Sequence, residues 1–306
     1  MRQLRVGWKR RRNIYGEKTM TQRSDFLIHW TGKDIQTDYK ALDDLQRKEY
    51  INRLRTTLTG EAKGLWMTIP EREEFYKDGD ISFYYEVAKT CFTEIKLSSM
   101  ESFTKRYGCL GFGFGRRFVL ERGGIPVQYV SGTDNDVIVA NIARCWNALE
   151  AIESYFRKRN IRDIKEIPTL PDRISFIREG LNTNICYMKN MSDRDHPDDF
   201  TLLDEEEWRI VKTKKIDTSK YKYIKPDYYI SQPDGSTKPV KYIMKFHGKK
   251  TPEAWIPFEN KDLKLLILPD PKTRQMALED NAISDWLLKD KVNVPIILTI
   301  EDCSYF

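Results

Sequence analysis

Apolar and polar positions fall into two recurring periods along this chain. Residues 26–31 form a short apolar run that predicts a buried strand. Over 39–58, Leu42, Leu45, Ile51, Leu54 and Leu58 lie near a 3.6-residue period and predict a helix. Gly64 permits a turn into a strand at 65–68, which Pro70 ends. Strand-like composition resumes from Ile81 to Ile95, and a short helix follows at about 99–107. Leu110-Gly111-Phe112-Gly113-Phe114-Gly115 has glycines but neither the spacing nor the lysine of a phosphate loop, and no clear helix starts after it. Its alternation instead places aromatics on one face of a strand and bare backbone on the other, where a ligand or another strand can come close. Gly123-Gly124 then turns into Pro126–Val130, so 109–130 reads as a hairpin.

The longest helix is expected at 134–158, with Ile138, Ile142, Cys145, Leu149, Ile152 and Phe156 as its apolar line. Ser131, Thr133 and Asp134 are N-cap candidates, and Arg157, Lys158 and Arg159 suit the C-terminal end of the helix dipole. A second helix is expected within 174–190, making a helical layer at about 134–190. Strands return at 207–212, 221–229, 239–246, 253–257 and 264–268. A helix at about 271–289 and a strand at 294–300 close the chain. Strand-rich halves on either side of one helical layer give an α+β fold with a split, mixed or antiparallel sheet, and a single domain over 24–306.

Charge adds a boundary. Residues 1–23 carry eight basic residues against Glu17, a net of +7, and the remaining 44 basic and 45 acidic residues nearly cancel. The near-neutral body gives no electrostatic argument for nucleic acid. The basic tail reads either as sequence ahead of a true start at Met20 or as a flexible arm that samples phosphate backbones. Five widely spaced cysteines without a Cys-x-x-Cys pair suit reduced thiols in the cytoplasm and no metal site. No apolar run is long enough to span a bilayer, so no membrane partner is expected.

Chemistry concentrates in Glu205-Glu206-Glu207-Trp208-Arg209-Ile210. Strand alternation puts Trp208 and Ile210 on one face and Glu205, Glu207 and Arg209 on the other. A guanidinium beside two carboxylates can shield them from each other. Such a carboxylate can stabilise an oxocarbenium-like transition state and hold a ribose hydroxyl, or it can simply belong to a charged surface face. His29, between Ile28 and Trp30, is either a core histidine bonded to a carbonyl or a donor to a ribose, with Thr31 on the same strand face. Cys91 and Cys109 have no recognisable histidine partner for thiol chemistry, since His29, His196 and His247 stand in no such setting. Phe92 and Tyr107 could stack on a flat ring or belong to the core.

The segments FLIHWTGK, GLWMT, CFTEIKLS, YGCLGFGF, PVQYV, EEEWRI, LLILPDPKTRQMAL and VPIILTIEDCSYF, in this order across about 24–306, resemble the AbiGi family of abortive phage-infection proteins. More distantly, the opening strand with His-x-Thr, the helix ending in Gly and the Gly-Leu strand look like the start of His-Tyr-Glu type ADP-ribosyltransferases. That second likeness implies an ADP-ribosyltransferase-like split sheet and NAD as a substrate. It assigns His29, Thr31, Tyr107 and Arg209 to NAD binding and Glu207, or else Glu205, to catalysis. The middle tyrosine is left open among Tyr84, Tyr85 and Tyr107. The resemblances imply a phage-defence effector modifying a macromolecule such as RNA or DNA. The alternative is a non-catalytic antitoxin or sensor that keeps the fold and pairs with a cognate toxin protein.

Overall fold

In the computed structural model, the described residues are 26–60, 63–67, 73–78, 81–85, 88–94, 96–130, 137–158, 170–191, 205–211, 221–224, 229–231, 237–239, 241–246 and 255–305. Strand β1 (Phe26–Thr31) leads through a 3-10 turn (Tyr39–Ala41) into helix α1 (Asp44–Thr59). Strands β2 (Leu65–Trp66), β3 (Glu73–Asp78), β4 (Ile81–Tyr85) and β5 (Lys89–Thr93) follow. Next come α2 (Met100–Tyr107), β6 (Leu110–Gly115), α3 (Arg116–Glu121), β7 (Ile125–Pro126) and β8 (Gln128–Val130). The two longest helices are α4 (Val137–Lys158) and α5 (Leu170–Cys186), with β9 (Met188–Asn190) and β10 (Glu207–Val211) after them. Five strands succeed: β11 (Tyr221–Ile224), β12 (Tyr229–Ser231), β13 (Thr237–Pro239), β14 (Lys241–Phe246) and β15 (Trp255–Ile256). Then come β16 (Leu263–Leu268), α6 (Pro271–Glu279), α7 (Asn281–Leu287), β17 (Ile296–Thr299) and α8 (Ile300–Cys303).

Seven strands make the main sheet in the order β17-β16-β6-β1-β5-β10-β7. Only β16 and β17 run parallel, so the sheet is mixed and mostly antiparallel, and with its helices the protein is α+β. The most apolar strands, β16 and β6, lie side by side next to β1 near the centre, where Leu27, Ile28, Leu110, Phe114, Leu263 and Leu266 are fully buried. In β6 the Phe/Gly alternation works as its period predicts. A Cβ on Gly113 would sit 2.7 Å from Leu265 Cβ, and one on Gly111 would sit 3.0 Å from the Trp30 ring. The bare face therefore admits neighbouring side chains, and these two glycines form no phosphate loop.

Three sequence expectations change. First, 109–130 is not a hairpin: β6 pairs with β1 and β16, and α3, whose Phe118 and Val119 are buried, separates it from β7. Second, the stretch 81–95 is two strands in different sheets, β4 beside β3 and β14, β5 in the main sheet. Third, the helix at 271–289 breaks at Asp280, whose carboxylate accepts from the Ile283 amide and caps a new helix, α7. Capping also explains the late start of α1. Asp43 and Gln46 form a reciprocal box, so the helix begins at Asp44 and 39–41 is a separate 3-10 turn.

The helical layer has a small core of its own, in which Val130, Val139, Ile185, Cys186, Met188 and Val211 pack together. The apolar line expected on α4 is split. Leu149 is buried with Val139 and Trp146, whereas Ile138, Cys145 and Ile152 are exposed. The tail at 1–23, the cap candidates of α4, His196 and His247 lie outside the described residues, as do the side chains of Tyr84 and Tyr85.

Candidate functional site

Cross-strand partners in an antiparallel ladder project to the same side. Ile28 pairs with Thr93, and Thr93 with Glu207, so these three share one face of the main sheet. Arg209 and Cys91, paired two residues along, lie on that face too. The indole of Trp30 donates to Thr93 Oγ1 at 3.1 Å there. His29 is one residue out of step and projects from the opposite face, its ring 5.8 Å from that of Phe92. Phe92 in turn is the partner of Trp208.

On the first face the charged residues of the glutamate motif converge, joined by residues from three other elements. Glu205 Oε1 accepts from Arg106 Nη1 at 2.8 Å and from the Tyr107 hydroxyl at 2.6 Å, both on α2. Lys189 of β9 bridges the two carboxylates, its Nζ 2.6 Å from Glu205 Oε2 and 2.7 Å from Glu207 Oε2. Glu207 Oε1 accepts from Arg209 Nε at 2.5 Å, and Arg209 Nη1 donates to the carbonyls of Cys186 at 3.0 Å and Met188 at 3.1 Å. The Glu207 amide donates to the Tyr129 hydroxyl at 3.0 Å. Glu206, between the two, has φ 41°, a left-handed conformation unusual for a side-chain-bearing residue. Glu205, Glu207 and Arg209 are 1%, 4% and 1% exposed.

Burial opposes the charges of Glu207 and Lys189, and their pairing overcomes it. Burial alone would raise the Glu207 pKa, but Arg209 and Lys189 hold it well below the ordinary carboxylate range. Burial would lower that of Lys189, yet Glu207, Tyr107 and Glu205 carry it well above the ordinary lysine value. The Cys91 thiol is pushed up to about 12 by burial and by the Glu207 charge, so it stays protonated and a poor nucleophile. Burial also drives the Tyr107 hydroxyl up, which leaves it a donor to Glu205. Glu207 is thus held ionised, and both glutamates are supplied with donors on each oxygen. Breaking such a buried pair typically costs about 3–5 kcal/mol. The cluster ties β10 to β9, β8 and α2, a structural lock across segments distant in sequence.

His29 and Thr31 occupy a different environment. His29 Nδ1 lies 2.9 Å from the Cys91 carbonyl, to which it donates as a neutral imidazole, and burial depresses its pKa. Thr31 Oγ1 accepts from Arg53 at 3.3 Å, and the same guanidinium makes a two-pronged pair with Asp34, both contacts at 2.6 Å. The structure therefore brings together Glu205, Glu207, Arg209 and Tyr107, and it sets His29 and Thr31 on the other side of the sheet. One NAD ribose cannot be shared between His29 and Glu207 across that sheet, so the residues do not fit the arrangement the transferase likeness implies. Sequence reading missed Lys189, Arg106 and Tyr129. Lys189 alone carried a signal, a single cation directly after the apolar run Ile185–Met188. Among the described residues, no group of histidine, cysteine and carboxylate side chains could hold a metal. No described helix is long and apolar enough to cross a membrane.

Fold and site together define an α+β protein whose polar centre is a closed ionic cluster. Residues 74–269, more than half of the chain, match a family described as "Putative abortive phage resistance protein AbiGi, antitoxin". The chain belongs to the AbiGi family of abortive phage resistance. No curated protein and no solved structure matches it.

Proposed function

We propose that this chain is the antitoxin of a phage-defence pair and works by binding a cognate toxin protein, without catalysing a reaction itself. The observation that carries the reading is the state of Glu205 and Glu207. A catalytic carboxylate must meet charge that develops in a transition state. Here each carboxylate oxygen already accepts from a cation of the same chain. The family description as antitoxin supports the same reading. In the rival reading, an NAD-dependent ADP-ribosyltransferase acting on RNA, DNA or another macromolecule, Glu207 would first have to leave Lys189 and Arg209. The purified chain, incubated with labelled NAD and cell lysate, RNA or DNA, is expected to transfer no label. Added to purified cognate toxin, it is expected to form a stable complex. Label transfer that disappears in Glu207→Gln would replace this reading with the rival.

A further inference from the structure

Helix α4 buries one side and leaves an unusual surface on the other. Val139, Trp146 and Leu149 face inward. Arg178 of α5 pairs with Glu153 at 2.6 Å and lies over the Trp146 ring at 5.6 Å, which fixes the inner side of α4 against α5. The outward side carries Ile138, Asn141, Cys145, Ala148, Ile152 and Tyr155, all exposed. Their spacing is the alternating three and four of a coiled-coil seam. Ile138, Ile152 and Tyr155 are 46%, 43% and 50% exposed, with Val137 beside them at 70%. A solvated helix face ordinarily carries many charges; the row flanking this seam, Val137, Arg144, Ala151 and Lys158, has two.

We infer that α4 is a self-association surface, on which the α4 helix of a second copy of this chain packs antiparallel. The seam is self-complementary about a point between Cys145 and Ala148. Reversed on itself, it sets Ile138 opposite the partner's Tyr155 and Cys145 opposite the partner's Ala148. Small residues at the crossing allow close approach, and bulk falls towards the ends. The same reversal places Arg144 by the partner's Ala151 and Lys158 by the partner's Val137, so no cation meets its own copy. Parallel packing would instead bring Lys158 to Lys158 and align the two helix dipoles unfavourably. With Val137, the seam offers on the order of 500 Å² per protomer, so a pair buries about 1,000 Å², the threshold for a specific interface. This inference does not depend on the antitoxin reading.

The test uses the full chain. Sedimentation should give a dimer that becomes monomeric in Ile152→Glu and in Ala148→Arg, each with the circular dichroism spectrum of the parent and a cooperative melt. Should Ile152→Glu fail to fold, Ala148→Arg carries the test, because residue 148 is a small exposed position. Mild oxidation of Ala148→Cys should give a linked dimer whose disulfides, mapped by mass spectrometry, join Cys145 to position 148 of the partner. A parent that is monomeric at the highest soluble concentration would overturn the inference, even if seam variants then lost binding to a toxin. So would a dimer that survives both substitutions, or disulfides joining only like positions.

Discussion

Replacing Lys189 by methionine tests the ionic cluster most sharply, because one ammonium serves both carboxylates. The two oxygens it bridges are within about 5 Å of each other, and at an effective dielectric near 20 two bare charges so placed repel by about 3 kcal/mol. Methionine keeps the stem volume and removes the charge, so packing loss is small. Arg106 and Arg209 stay in place and screen part of the repulsion, whereas loss of two charge-assisted hydrogen bonds adds to it. The net expectation is a loss of about 3–5 kcal/mol, the usual cost of orphaning a buried charge, or a melting point lower by roughly 10 °C. Thermal denaturation followed by circular dichroism at neutral pH measures it. Acid gives a second signature. The depressed Glu207 pKa contributes stability above the ordinary carboxylate value of about 4.3, and it is lost as pH falls through the folded value. Lys189, raised, contributes below about 10.4, and that is lost as pH rises through its folded value. The gap between parent and Lys189→Met should therefore narrow in acid, where protonation relieves the repulsion. A variant melting within about 2 °C of the parent at neutral pH would refute the reasoning.

Other expectations follow from single positions. Gly113→Ala should destabilise by about 1–3 kcal/mol because its Cβ collides with Leu265, whereas Gly115→Ala, with nothing within 4 Å, should be near neutral; urea titrations of both separate the cases. Glu206→Gly should stabilise by up to about 1 kcal/mol, since glycine enters the left-handed region without strain, and a lower denaturation midpoint would count against that backbone conformation. Burial keeps His29 neutral, so below about pH 6.5 the unfolded chain binds a proton that the folded one resists and stability falls; melting curves across pH 5–8 should flatten in His29→Phe.

Legibility in the sequence followed how local each signal was. β1, β6, β10 and β16 were readable because alternation or unbroken apolarity marks a strand without reference to its partners. The shared side of Glu207 and Arg209 was readable for the same reason, whereas Glu205 lies ahead of the strand and joins them through Lys189. Whether Ile28 or His29 shares the face of Glu207 depends on a register through β5, and one residue of slip exchanges the faces. That is why the expected meeting of His29 with Glu207 did not follow from two correctly read strands. Lys189 escaped because its partners are 16 and 18 residues away, across a segment with no periodic signal. On α4, one continuous apolar line was expected, and the helix instead divides it between a buried and an exposed side.

The growth of cells expressing this chain, alone and together with its cognate toxin, tests the central claim most directly. An antitoxin whose glutamates are structural leaves growth unchanged when expressed alone and restores growth when the toxin is present. Glu207→Gln should weaken that rescue only as far as it lowers the amount of folded protein. Growth arrest by the chain alone, abolished by Glu207→Gln in a protein that is still folded and abundant, would contradict the account.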